Sequence, residues 1–154
     1  MLLKKAVDFL RKREFISVGT CDFEGNPNVA PKLLLKIEDS SIYLIDYIVG
    51  RTFANLKANP KVSLSFFDID TLTGYQINGP VEIMEKGPLH DKLLRELSAK
   101  KVELSVKRII EGVNKEKGHG AFEMFLPEKV VMFKIQIKEI VEISSSGKLE
   151  REKV

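Results

Sequence analysis

Apolar and polar positions recur along this chain with two periods, and each change of period marks an element. Leu3, Ala6, Val7 and Leu10 recur at helical spacing opposite Lys4, Lys5, Asp8, Arg11 and Lys12, which predicts a short amphipathic helix at the start. From Phe15 the period drops to two, with Ile16 and Val18 on one face of a strand that ends near Thr20. The run Asp22-Phe23-Glu24-Gly25-Asn26-Pro27 is a turn: Gly25 admits a positive φ, and Pro27 has no N–H for a ladder. A second strand over residues 28–36 completes a hairpin. After Asp39-Ser40 a third strand carries Ile42, Tyr43, Leu44 and Ile45.

Gly50 breaks the sheet, and residues 51–59 suit a short helix with Phe53 and Leu56 inward, stopped by Asn59-Pro60. Val62, Leu64 and Phe66 then alternate with Ser63, Ser65 and Phe67 in a fourth strand. Tyr75, Ile77, Val81 and Ile83 mark a fifth, with a bulge or bend at Gly79-Pro80. Helical spacing returns twice, in Leu89, Leu93, Leu94 and Leu97 after Pro88, and again in Val102, Val106, Ile109, Ile110 and Val113. Two helices are therefore expected, followed by a loop at Gly118-His119-Gly120. Val131, Phe133, Ile135, Ile137, Val141 and Ile143 share one phase, so a single long last strand is expected, with an irregularity near Lys138. Residues 144–147 end it, and residues 148–154 read as a frayed tail beyond a single domain of residues 1–147. Six strands on short turns are antiparallel. With no strand–helix–strand alternation they predict a mainly β fold, a β-barrel or sandwich with flanking helices, and disfavour a dinucleotide-binding α/β sheet.

Composition narrows the class. The chain has 154 residues, 44% of them hydrophobic, enough for one domain with a sizeable core. Charged residues make up 31%, but they are interspersed and the formal net charge is only +3, so no nucleic-acid partner is expected. One cysteine, Cys21, excludes an internal disulfide, and no metal site is expected around His90 and His119. No apolar run reaches the ~20 residues of a membrane span, and Met1 to Lys5 turns polar too soon for a signal peptide. A soluble cytoplasmic protein without membrane contact is the expectation.

Three segments offer chemistry. At Gly50-Arg51-Thr52 a glycine turns the chain into a helix whose first turn has unpaired N–H groups. Arg51 and Thr52 there can grip a phosphate through a guanidinium fork and a hydroxyl. The same residues also suit a plain cap, with Thr52 closing the helix and Arg51 solvated. Pro31 interrupts the second strand at Val29-Ala30-Pro31-Lys32, which marks an edge or bend; Lys32 there is a cation near an anionic ligand or a snorkelling side chain. Thr73-Gly74-Tyr75-Gln76 pairs a glycine with hydroxyls and an amide that can meet a heterocycle edge, or is an ordinary loop. Cys21, beside acidic Asp22, reads as inert, and His119 as a loop histidine. No nucleophile elbow, zinc-protease helix or Walker-type phosphate loop is present.

In order, the hairpin Asp22-x-x-Gly25-x-Pro27-x-x-x-Pro31, the run Arg51-Thr52-x-x-Asn55-Leu56-x-x-Asn59-Pro60-x-Val62, and the stretch Gly74-Tyr75-x-x-x-Gly79 resemble the pyridoxamine 5′-phosphate oxidase-like family of FMN-binding split barrels. The resemblance covers residues 15–85. It implies a six-stranded antiparallel split barrel that forms a homodimer with FMN at the subunit interface. It also implies that Arg51 and Thr52 hold the flavin phosphate. By the same resemblance Val29, Ala30, Pro31 and Lys32 lie along the flavin, with Lys32 near the phosphate. Asp46, Tyr47 and Ile48 border the ring, and Thr73, Gly74, Tyr75 and Gln76 approach it from the next strand or the partner subunit. The vitamin B6 enzymes of the family carry a longer chain and extra basic residues near the C-terminus, whereas here Lys148, Arg151 and Lys153 fall in what reads as a frayed tail, so vitamin B6 phosphate is not the expected substrate. An FMN-dependent oxidoreductase with NAD(P)H or another electron donor is the leading function. A non-catalytic FMN carrier and a split-barrel ligand-binding domain without flavin are the alternatives. No side-chain acid or base is assigned a catalytic role.

Overall fold

The computed structural model describes residues 1–114 and 129–154. Eleven elements follow one another: helix α1 (Leu2–Leu10), strands β1 (Phe15–Cys21), β2 (Pro27–Glu38) and β3 (Ser41–Asp46), helix α2 (Arg51–Ala58), strands β4 (Lys61–Asp68) and β5 (Thr73–Met84), helix α3 (Pro88–Asn114), and strands β6 (Val131–Gln136), β7 (Glu139–Ile143) and β8 (Leu149–Lys153). Every strand pairing is antiparallel. The pairings run β1–β2–β3–β6–β5–β4 and return from β4 to β1, which closes a six-stranded barrel.

Closure depends on β5, which serves two neighbours on one side. Residues 74–78 pair with β7 and residues 81–84 with β6. Between them, at the expected bend, a Cβ on Gly79 would fall 1.9 Å from the Gln136 carbonyl oxygen, a space only glycine leaves open. The barrel core is built from alternate side chains, among them Ile16, Val18, Leu44, Leu64, Ile77 and Phe133. On α1, Leu2, Ala6 and Leu10 are buried, and Phe9 stacks on Phe66 and lies tilted against Tyr75, at 5.7 and 5.5 Å between ring centroids. A second core lies outside the barrel, where Leu93, Leu97 and Leu104 of α3 cover Leu33, Leu35, Tyr43, Ile45 and Met132. Every residue of β3 is therefore buried. A bulge between Leu34 and Lys36 inserts one residue into β2, which returns Ile37 to the barrel face.

Three expectations are corrected. The two helices are one, of 27 residues, because Ser98 to Lys101 contains no glycine or proline to end it. Only its first part is core, since Val102, Val106, Ile109 and Ile110 are exposed. The long last strand is two strands. The irregularity at Ile137-Lys138 breaks it, as Lys138 N–H donates to Asn78 C=O at 3.0 Å, and the extra residue shifts the phase so that Ile140 enters the barrel interior, while Val141 is buried outside that cluster and Ile143 is exposed. The tail is ordered as β8, against β7. Its side chains bury little, but its backbone completes a ladder, and Glu152 accepts from the Leu2 N–H at 2.8 Å. The Gly118-His119-Gly120 loop and Val113 lie outside the described side chains. Among the described residues no helix is long and apolar enough to cross a membrane.

Candidate functional site

Only the second half of β2 pairs with β3, starting at Leu33, so residues 27–32 keep one open edge. Pro31, whose missing N–H would break a central ladder, is tolerated there. Helix α2 packs beside that edge and is tied down by two side-chain amides. Asn55 Nδ2 donates to Thr20 Oγ1 on β1, and Asn28 Nδ2 donates to Thr52 Oγ1, both at 3.1 Å. The N-cap is Gly50, with no side-chain cap, so Thr52 does not close the helix end. The first-turn N–H groups are left available, and the Thr52 hydroxyl, already accepting from Asn28, keeps its proton to donate.

A cavity of about 260 Å³ lies between the open edge and the helix start. Ala30, Pro31 and Lys32 form one wall, Tyr47 and Ile48 a second, and Gly50, Arg51 and Thr52 a third. Arg51 is exposed and makes no ion pair among the described residues. Lys32 is buried, and its ammonium meets Asp46 Oδ1 at 2.6 Å, with Asp46 completely buried behind the wall. Burial pushes the Asp46 carboxyl above the ordinary carboxylate range, and the hydrogen bond and charge of Lys32 pull the other way. The second Asp46 oxygen, Oδ2, is buried without a hydrogen-bond partner among the described residues.

Of the residues singled out in the sequence, Ala30, Pro31, Lys32, Tyr47, Arg51 and Thr52 meet at this cavity, with Asp46 bonded to Lys32. Val29, 70% exposed, lines instead a larger cavity of about 610 Å³ that shares Asn28 with the first. Thr73, Gly74, Tyr75 and Gln76 do not line the Arg51 cavity of their own chain. The Tyr75 ring is buried against Phe9 and Phe66, and burial, then the Glu142 carboxylate, pushes its phenol up to about 12. Gln76 Nε2 donates to Ser63 Oγ at 3.0 Å. Asn28 is the site residue that the sequence did not single out. A polar residue at a strand start looks like turn chemistry until the helix is seen against it.

The family model for pyridoxamine 5′-phosphate oxidase matches residues 2–140. The chain belongs to the pyridoxamine 5′-phosphate oxidase family. Solved structures of similar fold include a pyridoxine phosphate oxidase family protein from Clostridium acetobutylicum, related to general stress protein 26. It is 18% identical over 99% of this chain and 94% of that one, with a TM-score of 0.66. A pyridoxamine 5′-phosphate oxidase-related, FMN binding protein from Nostoc punctiforme is 12% identical over 99% and 94% of the two chains, with a TM-score of 0.58. A heme binding protein from Mycobacterium smegmatis is 11% identical over 99% of this chain and 58% of that one, with a TM-score of 0.67. Among curated proteins none matches the sequence. Solved structures of this fold thus include an FMN binding protein and a heme binding one, so the chemistry has to be argued from the side chains.

Proposed function

We propose that this chain binds FMN and acts as a flavin-dependent oxidoreductase. The observation that carries the reading is the donor set around the 260 Å³ cavity: the Arg51 fork, the Thr52 hydroxyl with its free proton, and the uncapped first turn of α2. That set fits a phosphate monoester, and the Lys32 ammonium adds a cation in the same wall. Arg51 and Thr52 would hold the phosphate. Ala30, Pro31 and Tyr47 would border the rest of the cofactor, and Asp46 would hold Lys32 in position. Bound FMN supplies hydride or electron transfer. The chain's own work is to bind and orient, so no side-chain acid or base is required.

The reading includes a homodimer. Its support is that Thr73 to Gln76 line no part of their own chain's Arg51 cavity, while Phe67, Ile69 and Leu72 at the β4–β5 turn are exposed. The absorption spectrum of purified protein, then of protein incubated with FMN, tests the cofactor. Flavin bands with one FMN per chain support the reading. A protein that gains no flavin absorbance, or that shows a Soret band and takes up heme instead, overturns it. Stopped-flow mixing of the yellow protein with NADPH or NADH separates reductase from carrier: rapid bleaching supports the enzyme, and inertness assigns the flavin to electron carriage.

A further inference from the structure

A third cavity, of about 560 Å³, shares no lining residue with the other two and lies between the turn after α1 and the middle of α3. Five cations face it: Arg11, Lys12 and Arg13 from the turn, and Lys100 and Lys107 from the helix. None of the five forms an ion pair among the described residues. The carboxylates beside them are spent elsewhere, Glu14 on Arg108 and Glu96 on Lys36 at 3.2 Å, which leaves Glu103. Positive charge in one concavity repels itself and concentrates anions there.

Two of the cations are held without an anionic partner among the described residues. The Arg13 guanidinium lies over the Phe9 ring, 4.4 Å from its centroid, with Nε buried and without a hydrogen-bond partner. Lys100 donates to the Leu35 carbonyl at 3.1 Å, a neutral acceptor for a partly buried ammonium. Burial pushes that ammonium down, and Glu103 raises it by less. The remaining wall, Leu35, Ala99 and Leu104, is apolar. The volume is that of a small-molecule site rather than of a groove for a polymer.

We propose that this cavity binds a nucleotide, with its phosphates among Arg13, Lys100 and Lys107 and its base against Ala99 and Leu104. The site stands apart from the Arg51 cavity and does not depend on what that cavity holds. Calorimetric titration of the full-length protein with ATP at low salt tests it, with inorganic tripolyphosphate as the second probe. Saturable binding of one ATP per chain is expected, tighter than tripolyphosphate and unchanged in Arg51→Ala. Lys107→Gln, at an exposed position where folding is not at stake, and Arg13→Gln should each weaken it about tenfold or more. Absence of saturable binding overturns the proposal. So does binding that Lys107→Gln and Arg13→Gln leave unchanged, or binding that Arg51→Ala abolishes. Equal affinity for tripolyphosphate overturns the assignment to a nucleotide.

Discussion

Thr52 shows how a single side chain changes meaning once its neighbours are in place. Along the sequence it is a hydroxyl at a helix start, equally suited to capping and to ligand binding. In the fold Gly50 takes the cap position and Asn28 occupies the acceptor side of the Thr52 hydroxyl, so its proton points to a different use. Arg51→Ala should then weaken FMN binding by about 1.5–3 kcal/mol, the worth of a charge-assisted contact; fluorescence titration with FMN measures it, and unchanged affinity would refute the phosphate assignment. The Lys32–Asp46 pair belongs to the same scale. Asp46→Ala leaves a buried ammonium without its partner and should cost about 3–5 kcal/mol in urea denaturation. Lys32→Met combined with Asp46→Leu should cost less than Asp46→Ala alone, because no uncompensated charge remains. Arg51 and Lys32 were legible as cations of one candidate site, and they line the same cavity. Asp46 as the residue that fixes Lys32 was legible only as a position, since the contact joins strands 14 residues apart.

At the scale of elements, turns and periods were read well and continuity was read poorly. The Asp22 to Pro27 turn forms as its residues require, with Asp22 Oδ1 accepting from the N–H groups of Glu24 and Asn26, and Gly25 at φ +87°. The break at Lys138 was visible as an interruption. That it separates two strands follows from β5, which bends at Gly79 and presents a different neighbour on each side of the bend. Gly79→Ala must push β5 off Gln136 and should destabilise the barrel by at least ~3 kcal/mol, as a thermal melt would show. The β8 strand was misread because its residues carry almost no apolar signal. It is held by backbone pairing and by Glu152 on the chain's amino end, contacts with no periodicity to detect. Glu152 and Glu139 are held below their ordinary value of 4.5, Glu152 chiefly by the Leu2 N–H and Glu139 chiefly by the Asn78 amide and Arg151. A depressed carboxyl stabilises the fold above its unfolded value and loses that contribution as pH falls through the folded one. The protection factors of the β8 amides, which are exchange rates normalised for the intrinsic slowing in acid, should therefore fall on acidification from about pH 6 to about pH 3; equal protection at the two would refute the role of these carboxylates.

At the scale of the whole molecule, one barrel has two cores, its interior and the layer beneath α3, and exposed apolar residues include a group at the β4–β5 turn and another on the far half of α3. If the proposed homodimer forms, light scattering will give twice the chain mass, and Phe67→Lys will lower the dimer fraction with little change in the melting temperature of the barrel; a monomer mass for the native chain would refute the shared site. The sequence by itself determined the class of fold, the order of its first five strands and their turns, and the cation and hydroxyl at the start of α2. These depend on local period, on turn residues and on short spacings, all of which one chain displays in order. Only the tertiary structure decided that Thr52 is bound by Asn28, that Asp46 rather than a ligand holds Lys32, and that Tyr75 belongs to the core. Each of those depends on which distant segments become neighbours when the barrel closes. Closure is set by the summed packing and pairing of six strands, which no local stretch of sequence encodes.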